Sequence, residues 1–557
     1  MNPHPNPSAL DQRTQAFPAL TEQQIARVGD IGRPRTAQLG DILFAPGDTS
    51  VPFFLLLSGR IEIVQPDVKG ERTVAIHDRR GEFTGEISMI SGQRCLVLGR
   101  VTEPSEVVEI NDTDFRALVA RDAELSEILL RAFILRRLEL IKQGFGNLIV
   151  MGSRHSAGTL EIRGFLSRNG HPYSYIDLDT DEMSQELLDR FQVTTSEVPI
   201  VIAEGGTVLK SPSIQEIANI LGLNSPIAPG QVRDVIIVGA GPAGLAAAVY
   251  GASEGLDTLL IETQAPGGQA GSSSKIENYL GFPTGISGQE LASRATTQSQ
   301  KFGAQLMIAR SVRKLDCSRQ PYELELDSGD VLQTKSIVIA TGARYNKLRL
   351  ANLEAYEGKG IYYAATHVES QLCETEGVAV VGGGNSAGQA AVFFSQSSSI
   401  VHMLVRSGEL RSTMSKYLIQ RITENPRIQL HYNTEIVELL GDDHLEQVTW
   451  LDKKTGEKST HKVRHLFVMT GASPCTSWLQ GSVALDKNNF ILTGRDLENI
   501  PEGNPWPLER DPHMLETSLP AVFAVGDVRS GNVKRVASAV GEGAIVIHMV
   551  HRTLAEM

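Results

Sequence analysis

The chain has 557 residues, of which 41% are hydrophobic and 21% charged, and a formal net charge of -13. That length allows about three or four domains of ordinary globular composition. The negative balance argues against nucleic acid or an anionic membrane surface as the main partner. No apolar run approaches the ~18 residues of a membrane-spanning helix. Met1 to Phe17 is rich in Pro, Asn and Gln, with neither a basic start nor an apolar stretch. A frayed tail rather than a secretory signal is expected, and a cytoplasmic location with it.

Residues 1–146 read as an all-β unit closed by a helix. Ile42–Phe44, Phe53–Leu57, Arg60–Val64, Arg72–Ile76 and Leu96–Val101 are short apolar stretches separated by turn residues at Pro46-Gly47-Asp48 and Ser58-Gly59. Leu125, Ile128, Leu129 and Phe133 then mark one face of a helix to about Gln143. The segment Phe83-Thr84-Gly85-Glu86, followed by Gly92-Gln93-Arg94-Cys95, resembles the phosphate cassette of cyclic-nucleotide-binding domains, which are β jelly rolls. The resemblance implies that Arg94 holds a cyclic phosphate and Glu86 a ribose hydroxyl, with cAMP or cGMP as effector. Thr84 and Cys95-Leu96-Val97 depart from the usual small residues. The alternative is a jelly roll that has lost its ligand and serves as a docking or dimerisation surface.

Residues 147–224 follow the order βαβα-ββα. The strands are Leu148–Met151, Tyr173–Leu178, Pro199–Ala203 and Thr207–Lys210; the helices are Ala157–Asn169, Ser184–Phe191 and Ile214–Leu221. This pattern resembles the thioredoxin/glutaredoxin fold, with Val198-Pro199 at its cis-proline. Ser153-Arg154-His155-Ser156 stands where a redox motif would be, so a docking or spacer role is expected. Ser225 to Gly230 reads as a linker.

Two glycine fingerprints follow. Val235–Val238 runs into Gly239-Ala240-Gly241-Pro242-Ala243-Gly244, and Val378–Val381 into Gly382-Gly383-Gly384-Asn385-Ser386-Ala387. Each is an apolar strand, a glycine turn and a small-residue helix, the apparatus that seats a pyrophosphate on a helix N-terminus. Glu262 ends the strand after the first fingerprint, where a carboxylate binds a ribose diol and repels a 2′-phosphate. The strand after the second ends at Arg406, with Arg411 close by. Guanidinium there favours NADP; a charge-assisted pair worth about 1.5–3 kcal/mol gives roughly ten- to a hundredfold preference. The bland alternative is two solvated arginines. Two dinucleotides in one chain point to hydride transfer from a nicotinamide to a flavin.

Residues 232–557 resemble the thioredoxin reductase family of flavoproteins. The matching residues are the first fingerprint, Gly267-Gly268-Gln269, Glu277-Asn278, Ala340-Thr341-Gly342, Phe523 to Val528, and Lys534 to Ala539. The resemblance implies FAD contacts at Gly268, Gln269, Asn278, Gly342, Gly526, Asp527, Arg535, Val536 and Ala537, and a homodimer. The fold class expected is multidomain α/β: a jelly roll, a thioredoxin-fold domain and two Rossmann-like domains. The FAD-binding domain would take 232–345 and 474–557, and the NAD(P)H-binding domain 346–473.

One departure matters. Thioredoxin reductases carry a Cys-Ala-Thr-Cys stretch before the second fingerprint; here it reads Tyr363-Ala364-Ala365-Thr366-His367. The cysteine positions fall nearest Ala364 and His367, so a dithiol relay by the usual route is excluded. The four cysteines, Cys95, Cys317, Cys373 and Cys475, form no Cys-x-x-Cys, and no zinc or other metal site is expected. His367 is the candidate proton donor beside the flavin, since imidazole titrates near neutrality; a surface histidine is the alternative. The acceptor would be a quinone, a small redox protein, a disulfide protein with its own thiols, or oxygen. Two other readings stay open: a non-catalytic redox sensor, and a disulfide reductase using Cys373 or Cys475 with an external thiol.

Overall fold

The computed structural model describes residues 15–557 except 49–50, 68–69, 86–88, 90–94, 96, 143–147, 155, 180–196, 204–206, 225–227, 229, 274, 351, 364, 366, 374, 443, 480 and 501–505. The chain divides into two compact units, one holding residues 1–152, 165–227 and 296–309, the other 153–164, 228–295 and 310–557.

In the first unit an antiparallel sheet runs in the order Arg33–Ala37, Leu98–Ile110, Phe53–Asp67, Gly70–His77, and Ile42–Phe44 also pairs with Leu98–Ile110. The two stretches expected on either side of Ser58-Gly59 are one strand, Phe53–Asp67. The chain does not turn back there: the register against Leu98–Ile110 shifts and Gly59 takes φ +95°. A bulge of this kind bends a strand without ending it. Helix Glu22–Gly29 starts at a capping box, Thr21 Oγ1 accepting from the Gln24 amide while Gln24 Oε1 accepts from that of Thr21. Asn111 caps helix Asp112–Arg121 without the reciprocal bond, its Oδ1 accepting from the Asp114 amide. The long helix Ala123–Lys142 buries Leu125, Leu129 and Phe133. Phe115 stacks between Phe53 and Phe133, with centroids 5.1 and 5.7 Å away, so the helices close one side of the sheet.

The same unit holds a four-stranded sheet ordered Ser174–Asp177, Ile149–Gly152, Ile200–Ile202, Val208–Lys210. Its first pair is parallel and the other two antiparallel. The Val198–Pro199 peptide is cis. The helix expected over 184–191 lies outside the described residues.

The second unit is built on two sheets, one with a parallel centre extended by the antiparallel strands Tyr322–Leu326 and Val312–Asp316, the other wholly parallel. In the first, Val232–Val238 lies between Thr258–Glu262 and Val331–Ile339, and Val522–Ala524 joins the far side of Val331–Ile339. Strand Val232–Val238 buries Val235 to Val238, as a strand covered on both faces must. The second sheet runs Ile361–Tyr362, His465–Val468, Gly377–Val381, Ile400–Val405, Ile428–Tyr432, all parallel. An antiparallel meander, Thr434–Leu440, Gln447–Asp452 and Lys458–Lys462, follows it. The chain crosses between the two sheets on paired strands, Ala343–Tyr345 and Ala472–Pro474.

Candidate functional site

Each fingerprint opens a helix that no side chain caps. Gly241 stands at the N-cap of Pro242–Ser253 and Gly384 at that of Asn385–Phe394, neither with a side-chain cap hydrogen bond. Thr21, Asn111 and Ser213 cap helices Glu22–Gly29, Asp112–Arg121 and Ile214–Ile220, while Lys416–Thr423 and Val536–Glu556 are uncapped as well. The first N–H groups of the two fingerprint helices are therefore left for an anion, and the helix dipole favours one.

The glycines make that approach possible. A Cβ on Gly244 would lie 1.8 Å from the Gly239 carbonyl oxygen, and one on Gly382 2.4 Å from that of Met469. Above the first helix the space is open: a Cβ on Gly241 would meet only Gly268 Cα, at 4.0 Å. Two glycine backbones thus face one another across a cradle that side chains would fill. Ala243 is buried behind it, as Ala387 is behind the second.

Glu262 is buried at the end of its strand, where Oε2 accepts the Ala240 amide at 2.8 Å and Oε1 that of Gln264 at 3.0 Å. A carboxylate has about four acceptor positions, so it braces the glycine loop and retains capacity for a ribose diol. Gln269 donates from Nε2 to the Ala343 carbonyl. Gly342 accepts the Cys475 amide at 3.0 Å, and Thr341 Oγ1 donates to the Cys475 carbonyl at 2.9 Å. These bonds tie the crossing strands to the first site.

Gly526 and Asp527 follow strand Val522–Ala524 in a short 3-10 turn. Burial pushes the Asp527 carboxyl up; Lys534 opposes this and Glu542 adds to it. Arg535 is the N-cap of the last helix, Val536–Glu556. Arg535 and Ala537 are exposed, Val536 half-buried, and Asn278 exposed in its loop.

At the second site Asn385 Oδ1 accepts from the Ser415 amide and hydroxyl at 2.8 and 3.0 Å, and Thr413 Oγ1 donates to the Gly383 carbonyl at 2.6 Å. Ser386 hydrogen-bonds the Tyr345 phenol, which burial pushes above its usual range. Arg406 and Arg411 are both exposed. His367 is the first residue of helix His367–Leu372. Glu86 and Arg94 lie outside the described residues.

Three groups escaped the sequence reading. Glu542 accepts the Gly526 amide at 2.7 Å and pairs with Arg529 at 2.6 Å, holding the Gly526-Asp527 turn on the last helix. Tyr345 lies against Ser386 and feels the Asp527 charge, so it stands between the two fingerprints' territories. Arg421 grips Glu277 at 2.6 and 3.2 Å beside a cavity of about 360 Å³ lined also by Lys275, Gln389, Phe393 and Asn425. None has a local motif; each depends on segments far apart in sequence.

Residues 233–543 match the pattern of the "Pyridine nucleotide-disulphide oxidoreductase" family, more than half of the chain. The chain belongs to that family. Residues 34–122 match the cyclic nucleotide-binding domain. Thioredoxin reductase of Pneumocystis carinii is 34% identical over 331 residues, 58% of this chain and 96% of that one. That of Streptomyces coelicolor is 33% identical over 56% of this chain and 91% of its own length. The chain spans 58% of another relative, NADPH-dependent thioredoxin reductase 3 of Arabidopsis thaliana, at 32% identity. The crystal structure of Lactococcus lactis thioredoxin reductase is matched over its whole length and 58% of this chain, with TM-score 0.53 and 28% identity. The T. acidophilum enzyme is matched over 98% of its length and 57% of this chain, at 0.52 and 29%.

This pyridine nucleotide-disulphide oxidoreductase is thus an NAD(P)H-dependent flavin enzyme of the thioredoxin-reductase-like two-Rossmann fold, with an N-terminal jelly-roll-like cyclic nucleotide-binding domain. FAD and NADPH are its cofactors, and the uncapped helices and glycine cradle fit them. When bound, NADPH supplies a hydride and FAD accepts it. Among the described residues no helix is long and apolar enough to cross a membrane.

Proposed function

We propose that this chain oxidises NADPH and delivers the electrons from its flavin site to an acceptor without a dithiol of its own. Its cysteines carry that reading. Cys373 is fully buried and its Sγ donates to the Glu369 carbonyl at 3.2 Å; burial pushes the thiol far up. Burial pushes the half-buried Cys475 up as well. A thiol that resists ionisation is a poor nucleophile toward a disulfide, so reduction by either cysteine with an external thiol has little chemical support. A quinone, a small redox protein or a disulfide protein with its own thiols suits the chain better.

In this reading Gly239, Gly241, Pro242, Ala243, Gly244, Glu262, Gly268, Gln269, Asn278, Gly342, Gly526, Asp527, Arg535, Val536 and Ala537 hold FAD. Gly382, Gly384, Asn385, Ser386 and Ala387 seat the NADPH pyrophosphate, and Arg406 and Arg411 select its 2′-phosphate. His367 supplies a proton. Residues 232–345 with 474–557 form the flavin domain and 346–473 the nicotinamide domain. Residues 147–224 form a thioredoxin-like domain without its cysteines, supported by the strand order and the cis peptide before Pro199. The jelly roll binds cAMP or cGMP through Glu86 and Arg94 and tunes turnover, and the chain works as a homodimer.

The test is anaerobic stopped-flow reduction by NADPH, followed by steady-state turnover with ferricyanide and a quinone. Sustained cycling is expected. A chain that takes up no FAD, or is reduced once and never cycles, refutes the proposal. An unchanged rate at saturating cAMP and cGMP refutes the regulatory part alone.

A further inference from the structure

Ala243 of the first fingerprint and Gly526 are far apart in sequence, yet both rest on the last helix, Val536–Glu556. A Cβ on Gly543 would stand 2.2 Å from the Ala243 carbonyl oxygen and 2.9 Å from Ala246 Cβ. The last helix therefore touches the backbone of the first fingerprint helix in its opening turn. Gly526, at φ +72°, lies against the same residue: its Cβ would meet Ala243 Cβ at 3.0 Å and Ala539 Cβ at 4.0 Å. Ala539 and Glu542 are three residues apart on the last helix and so share a face. All of these residues belong to one compact unit.

Glu542 supplies the polar part of this junction. Its Oε2 accepts the Gly526 amide at 2.7 Å, and its Oε1 accepts Arg529 Nη2 at 2.6 Å and Asn532 Nδ2 at 2.8 Å. Donors from residues 526, 529 and 532 thus converge on one side chain that is 14% exposed. A carboxylate accepts on both oxygens, whereas an amide would present an N–H2 to one set of donors. A buried donor left without an acceptor forfeits its hydration and gains nothing. An ion pair that only stabilised the fold would need Arg529 alone. The bond to the Gly526 amide, beside Ala243, brings Glu542 to the first fingerprint as well.

We infer that Glu542 is a positioning residue of the flavin site: acting through the Gly526 amide, it fixes the Gly526–Asn532 segment against the opening turn of the first fingerprint helix and so sets where Asp527 stands. The inference rests on the proposed reading that Gly526 and Asp527 hold FAD. Glu542 needs no contact with the cofactor for this role. Its loss should alter how the flavin is held and leave the second fingerprint, Gly382 to Ala387, as it is.

The test compares three variants of the full chain, all without the ion pair. Arg529→Met keeps the carboxylate on Gly526. Arg529→Met/Glu542→Gln keeps an oxygen there and leaves no guanidinium opposite the N–H2. Arg529→Met/Glu542→Met removes the acceptor and replaces the whole pair by apolar side chains, a change that folds tolerate well. In this last variant, amides of residues 526–532 should exchange at least about tenfold faster than in Arg529→Met, with those of 377–394 unchanged. Its FAD Kd should rise at least about tenfold and the visible circular dichroism of its bound flavin should change, while KM for NADPH stays within about twofold. The other two variants should keep Kd within about threefold of the parent and the parent spectrum. Equal exchange, Kd and spectrum with and without the acceptor overturn the inference. So does a tenfold loss in Arg529→Met alone, which decides the matter even if the doubly substituted chain does not fold. A parent chain that takes up no FAD counts against the proposed function, and the exchange at 526–532 still decides whether Glu542 fixes the turn.

Discussion

Gly244 sits where no larger residue fits. A Cβ there would lie 1.8 Å from the Gly239 carbonyl oxygen and 3.3 Å from Ala340 Cβ. Carbon–oxygen contacts settle near about 3.3 Å, so in Gly244→Ala the helix and its glycine loop must separate by roughly 1.5 Å. Overpacking of this kind costs about 1–3 kcal/mol. The strain falls on the loop and the uncapped N–H groups; if these seat the pyrophosphate as proposed, FAD affinity should drop at least about tenfold, equivalent to about 1.4 kcal/mol. Gly541→Ala is the matched control. It lies within helix Val536–Glu556 and an added Cβ there meets nothing within 4 Å. Removing a helical glycine at such a site should stabilise the fold by about 0.5–1 kcal/mol. Equilibrium dialysis with flavin absorbance per chain reads the affinity, and thermal unfolding reads the stability. FAD binding by Gly244→Ala within about threefold of the parent, or equal FAD loss in Gly541→Ala, would refute the argument that close backbone approach builds the site.

Replacing Arg406 and Arg411 together by Ala should raise KM for NADPH about tenfold, the lower end for exposed charge-assisted pairs. KM for NADH should hardly change; an equal rise for both cofactors would mean that neither arginine reads the 2′-phosphate. His402, His431 and His461 form a half-buried cluster around Trp450, with His402 Nδ1 3.1 Å from His431 Nε2 and His461 stacked on the indole at 3.7 Å. Burial, then the neighbouring rings, pull His402 down to about 4, and burial lowers the other two. The unfolded chain therefore binds more protons between about pH 6.5 and 4, so stability is intact above the ordinary histidine pKa and is lost as pH falls through that window. Tm should decline from pH 7 to 5, with a shallower slope in His402→Gln; an unchanged slope would clear His402. Cys373→Ser and Cys475→Ser should each retain NADPH–ferricyanide turnover, and loss in either would revive a thiol-based route.

The two strand–glycine–helix units were legible because their signals are local. A buried parallel strand is a continuous apolar run, and a loop that must touch a pyrophosphate needs glycines at fixed spacing within a few residues. Strand Arg33–Ala37 was not legible. It contains a single apolar residue, and only its pairing with Leu98–Ile110 makes it a strand. Ser58-Gly59 reads as a turn for a sound local reason, since Gly59 does adopt a left-handed backbone. Its neighbours on Leu98–Ile110 keep both flanks in one strand.

By itself, the sequence determined the two fingerprints, the missing dithiol and the family, all properties of residues adjacent along the chain. Only the tertiary structure decided which groups steady those loops: Glu542 on the Gly526 amide, Ser415 on Asn385, and the Glu262 carboxylate turned back onto Ala240. Hydrogen bonds and packing of this kind join residues far apart in the chain. Their partners are chosen by where the folded backbone brings them, and no spacing along the sequence records that.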